Sequence, residues 1–256
     1  MTAFVALLKS RNEHLFYFGL LCLLSAVLLL TISKFSDIQI NGVNVWYKPF
    51  KFALSMGIFS LTMGWYTGYL SYKYIHIYNW SLIIFLGFEV FYVALQASRG
   101  QLSHYNVSST LYTSLTVAMA IAAIAATLYT GYIGILFCTE SFTGLPDYYI
   151  WAIRLGIFLF VTFALEGAII GANGSPRVGA TDGGTIPFLN WSLKYGDLRI
   201  AHFVGMHALQ ILPLLAFYLL KDVRLVVLTG IIYGLLALFC LIQALNSKAL
   251  LSFFEN

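Results

Sequence analysis

Apolar runs fill this chain from one end to the other, broken at intervals by short polar segments. A helix needs roughly 20 apolar residues to cross a bilayer core of about 30 Å. By that measure the pattern predicts seven transmembrane helices, at residues 15–33, 50–71, 80–99, 109–137, 149–171, 199–220 and 223–245. Lys9 and Arg11 ahead of the first run resemble the start of a signal peptide. That run is long and lacks a small-residue cleavage pattern, so it reads as a retained first helix. Pro49 suits a helix start, and Lys221-Asp222 a tight polar turn. Residues 250–254 predict a short interfacial tail.

Three connections are richer than the rest, at 34–50, 100–108 and 172–198. A serpentine of seven helices brings all three out on the face opposite the N-terminus. The longest is dense in Gly, Pro, Asn and Asp, which predicts turns rather than a helix. Loops beyond about 12–15 residues are often lids or binding loops.

Composition makes the class firm. Of 256 residues 60% are hydrophobic and 9% charged, which excludes an ordinary soluble domain. The reading is an all-α integral membrane bundle forming one polytopic domain over residues 1–256, with a polar vestibule open to one face. The net charge of +4 comes with no Lys/Arg-rich tail, so nucleic acid is not an expected partner. Cys22, Cys138 and Cys240 lie far apart and form neither a disulfide framework nor a CxxC motif. Basic residues are more numerous on the loop-rich face. Setting aside Lys48, Lys51, Arg99 and Arg199 as site residues moves the excess to the N-terminal face, which predicts a cytoplasmic N-terminus.

The candidate chemistry lies in the few polar residues within apolar runs. These are Glu89, Gln96, Glu166, His202, His207 and Gln210. A charge at mid-bilayer costs ~3 kcal/mol or more, so such residues usually face a bundle interior. Glu89, Tyr92, Gln96 and Arg99 are spaced by three, four and three, which puts them on one helix stripe. Arg199, His202, Met206, His207 and Gln210 share an arc of ~140° on the sixth helix. Taken singly, a membrane Glu can simply hydrogen-bond a neighbouring helix, and an Arg at a helix end can snorkel. Taken together, the residues predict a layered site. Lys48, Lys51, Arg99, His104 and Arg199 form a basic rim and, with Gln96 and Gln210, bind substrate. Glu89, Glu166 and His207 are the candidate catalytic groups. Glu89, Glu166, His202 and His207 are competent metal ligands.

The expected function is therefore a membrane-embedded enzyme of oxidoreductase type, dependent on a transition metal or haem. Its substrate would be a lipophilic or anionic amphipathic small molecule taken from membrane lipid. The alternatives are a proton-coupled transporter or small-ligand-binding membrane protein, and a non-catalytic subunit of a membrane complex.

Overall fold

Asn12 separates a short helix, α1 (Thr2–Arg11), from the first long one, α2 (Glu13–Phe35). Its side-chain oxygen accepts from Leu15 N at 3.1 Å, closing the open start of α2. The computed structural model describes residues 2–40, 42–180 and 184–250. The other helices are α3 (Tyr47–Thr67), α4 (Tyr72–Ser98), α5 (Thr110–Thr139), α6 (Asp147–Leu165), α7 (Gly167–Ala172), α8 (Leu198–Leu215) and α9 (Val223–Leu245). The protein is an all-α integral membrane bundle. The predicted tail, Leu250 apart, lies outside the described residues.

Among the described residues six segments, rather than the seven expected, are long and apolar enough to cross a membrane. The helix predicted at 50–71 does form, as α3, but its composition is too polar to qualify. The reason is its packing. Gly57, Ser60, Gly64 and Thr67 are all buried against neighbours, so this side of α3 is made of small and hydroxyl residues instead of bulky apolar ones.

The chain divides into two compact units, Met1–Tyr129 and Thr130–Asn256. In the first, α2 and α3 run antiparallel along their length. Gly64 packs on Leu15, and Phe50 and Ala53 pack with Ala26 and Leu29. The backbones come closest at Gly19 and Gly57. A Cβ on Gly57 would lie 2.9 Å from Leu23 Cδ2 and 3.1 Å from the Gly19 carbonyl oxygen. Lipid supplies no hydrophobic drive between helices, so close small-residue contact carries the packing. Asn12 then ties three elements together. Its amide donates to Thr67 Oγ1 and to Asn79 Oδ1 of α4, both at 2.9 Å, and Asn79 donates back at 3.0 Å.

In the second unit α6, α8 and α9 pack as a trio. Gly156 lies on the Ala208 backbone, and Gly205 lies under the Phe163 ring, which any Cβ there would overlap. Gly230 and Gly234 of α9 receive Leu155 and Leu159 of α6. They floor a groove of about 310 Å³ whose lining is apolar except for Thr162.

Three local features depart from the simple serpentine. The helix predicted at 149–171 is broken at Glu166, between α6 and α7. The one predicted at 199–220 turns π-helical over Ala216–Leu220, where Lys221 N–H reaches back to the Ala216 carbonyl at 3.2 Å. Pro213, just before it, has no N–H and crowds the carbonyl four residues back, which disturbs the regular ladder. The loops also hold short ladders. Gln39–Ile40 (β1) pairs with Val43–Asn44 (β2), and Arg177–Val178 (β3) pairs with Gly196–Asp197 (β4). Asn41-Gly42 between Ile40 and Val43 is a hairpin signature that the helix-centred reading passed over.

Two stability outcomes follow from this packing. Asn12→Ala leaves Asn79 and Thr67 short of partners and is expected to cost about 1–2 kcal/mol in a detergent unfolding titration. Adding Asn79→Ala should cost less than the sum of the single changes, because the two amides satisfy each other. Full additivity would show that they do not act as a pair. Gly57→Val should cost about 1–3 kcal/mol, since the atom it meets behind Leu23 is backbone and cannot swing away.

Candidate functional site

The first unit carries a polar column on α4. Gln96 has no exposed surface and Glu89 is 4% exposed. Gln96 Nε2 donates to Tyr92 Oη at 3.1 Å and to the Leu102 carbonyl at 3.3 Å, tying the column to the loop that follows. Phe88 stacks on Tyr92 with centroids 6.0 Å apart, and Phe52, Leu115 and Met119 pack around Tyr92 and Val93. Gln96 Oε1, Glu89 Oε1 and Thr116 Oγ1 are buried with no hydrogen-bond partner.

At the loop end of the same unit, Lys48 Nζ donates to His104 Nδ1 at 3.0 Å, and Ser103 Oγ lies 3.2 Å from that nitrogen. An ammonium has only hydrogens to give, so Nδ1 accepts and the imidazole hydrogen sits on Nε2. Burial, reinforced by the Lys48 charge, pushes the His104 pKa down to about 3. Of the predicted rim, then, Lys48 and His104 meet. Lys51 is half-buried on the next turn of α3, and Arg99 is exposed at the end of α4.

The second unit centres on the break at Glu166. This carboxylate is 6% exposed, and neither oxygen has a hydrogen-bond partner. His202 Nδ1 lies 3.3 Å from Glu166 Oε2 and 2.7 Å from the Phe163 carbonyl. The carbonyl can only accept, so Nδ1–H points at it and the carboxylate is a close neighbour rather than the acceptor. In the neutral ring Nε2 then keeps the lone pair. Gly167 makes room for the ring, since a Cβ there would sit 3.3 Å from His202 Cε1.

His207 and Gln210 are placed differently. His207 Nδ1 donates to the Phe203 carbonyl of its own helix at 2.7 Å, and its ring lies on that of Phe203. Both residues are half-buried on the α8 face that also carries exposed Phe203 and Leu214. The expectation of a fully interior position does not hold for them. Five residues on a helix turn ~140°, which separates His207 from His202.

Arg199 belongs to a clamp. Its guanidinium holds buried Asp197 through Nε and Nη2 at 2.8 and 2.6 Å, and Nη2 also donates to the Asn190 carbonyl at 2.5 Å. Asp197 Oδ2 accepts from Ser192 N at 2.9 Å, and Thr185 bridges to Ser192. The long connection is thus a folded strap pinned to the start of α8. Asp197 directly ahead of an apolar helix is an N-cap signal, and Asn12 ahead of α2 is another; both could have been read from sequence.

Among the described residues no three His, Cys, Asp or Glu side chains gather as a metal-holding set. Of the four predicted ligands only Glu166 and His202 come into contact. The groove between α6 and α9 carries no histidine, so it offers no axial ligand to a haem. Among the described residues, then, no donor set gathers for a transition metal, and this groove presents no histidine to a haem. Family models, curated proteins and solved structures show no match to this chain.

The His104 environment sets a pH dependence. Unfolded, its imidazole takes a proton near 6.5, whereas folded it resists to about 3. Its contribution to stability is therefore complete above the unfolded value and declines as pH falls from 6.5 toward 3. His104→Gln should flatten that acid limb in denaturation profiles; an unchanged limb would remove His104 as its source. Arg199→Met strands Asp197 as a buried charge and should cost about 3–5 kcal/mol. Protease cleavage of the strap between residues 184 and 193 should accelerate in the same variant.

Proposed function

We propose that the protein is a proton-coupled transporter or small-ligand-binding membrane protein, with Glu166 and His202 as its proton-carrying pair. The observation that carries this reading is the Glu166 carboxylate, buried without a hydrogen bond beside His202 Nδ1 at 3.3 Å, where α6 breaks. Intramembrane carboxylate–histidine pairs are natural proton relays, and interrupted helices are the places where transporters bind and move. With one proton the pair is neutral overall, whether the proton rests on imidazole or carboxyl. Adding a proton makes it cationic and removing one makes it anionic. Such charged states are costly in hydrocarbon, so proton gain or loss is tied to movement of the break or to a substrate's compensating charge. The enzyme reading leans on a metal or haem, and among the described residues no group of three metal-ligating side chains supports one.

The test is charge movement in proteoliposomes after a pH jump, across a panel of small organic amines and acids. Pair-dependent current should vanish in Glu166→Gln and in His202→Phe, while the exposed Glu140→Gln retains it. Full current in folded Glu166→Gln would end this assignment.

A further inference from the structure

The α4 column has a chemical asymmetry. The Gln96 amide nitrogen gives its hydrogens to Tyr92 Oη and the Leu102 carbonyl, so what Gln96 has left to offer is its carbonyl oxygen. What remains unpaired and buried is a set of oxygens: Glu89 Oε1, Gln96 Oε1 and Thr116 Oγ1. Glu89 forms no ion pair among the described residues. A carboxylate without compensation is costly in a low-dielectric interior. A binding partner that suits this column therefore brings hydrogen-bond donors and positive charge. The Phe88–Tyr92 stack beside Glu89 adds aromatic faces, which attract cations.

The basic groups around this column lie toward its loop end. α2 packs here through Phe18, Ala26 and Leu29, with Cys22 buried on that stripe, and brings no charge. α5 brings Tyr112, which acts on Tyr92. Lys48 and Lys51 lie in the first turns of α3, at the loop end. Arg99 is ten residues along α4 from Glu89, a rise of ~15 Å. We propose that Glu89 forms an intramembrane binding site for the protonated amine of a small or amphipathic ligand. This deepens the small-ligand reading above by naming a cationic substrate class, in place of the anionic one that the basic rim suggested. It does not depend on the Glu166–His202 pair.

The experiment uses the full chain in lipid nanodiscs and follows thermal unfolding. The probes are ammonium, methylammonium and hexylammonium chloride. Sodium chloride, tetramethylammonium chloride and sodium hexanoate at matched ionic strength are the comparisons. The expected result is a saturable rise in Tm with the N–H-bearing cations alone. It should be lost in Glu89→Gln and retained in Glu166→Gln, which separates this site from the proton-carrying pair. Should Glu89→Gln not fold, Glu89→Asp serves, with apparent affinity expected to fall about tenfold. The proposal is overturned by no saturable shift, by an equal shift with sodium, tetramethylammonium or hexanoate, or by a shift that survives in folded Glu89→Gln. Undiminished affinity in Glu89→Asp overturns it equally.

Discussion

Hydrocarbon offers no water to a polar group, so each polar atom inside this protein must find a partner in the protein or remain costly. Much of the structure is arranged around that constraint. The Asn12–Thr67–Asn79 triad uses both hydrogens of the Asn12 amide and returns a bond from Asn79, so three elements are joined with little left unpaired. Asp197 is almost wholly buried, and Arg199 together with the Ser192 amide satisfies it. These groups are structural because their hydrogen-bonding capacity is met.

The same constraint marks out the groups that are not met. Glu89 and Glu166 are as deeply buried as the satisfied ones, yet carry oxygens with no hydrogen bond. They sit in contrasting surroundings. Glu166 has a titratable neighbour and a break in its own helix. Glu89 lies in an unbroken helix beside the Phe88–Tyr92 ring pair. One arrangement suits moving a proton, the other holding a cation.

Glycine serves the two units by different means. At Gly19 and Gly57 it lets two helices touch, which leaves α3 free to carry small and hydroxyl residues that a lipid-facing helix would lack. At Gly167 it leaves space for the His202 ring beside the break. The Phe163 carbonyl there accepts from a side chain, which orients His202 and settles which nitrogen keeps its lone pair.

Much of the fold was legible along the chain because helix formation in lipid depends on the length of an apolar run, a local property. All of the predicted helices form, with the break at Glu166 and the π-turn after Pro213 as interruptions. The presence of polar residues within those runs was equally legible, since a Glu among apolar neighbours is conspicuous wherever it falls. Tertiary structure decided which of them are paired. Arg199 looked like part of a binding rim and is a clamp on Asp197. His207 and Gln210 looked interior and lie half-buried beside exposed Phe203. The four candidate ligands looked like one metal set, and only Glu166 and His202 meet. Spacing places a side chain around its own helix, but which groups it reaches depends on how neighbouring helices rotate and cross. Those angles come from close contacts such as Gly57 on Gly19 and Gly205 under Phe163, between residues far apart in the chain.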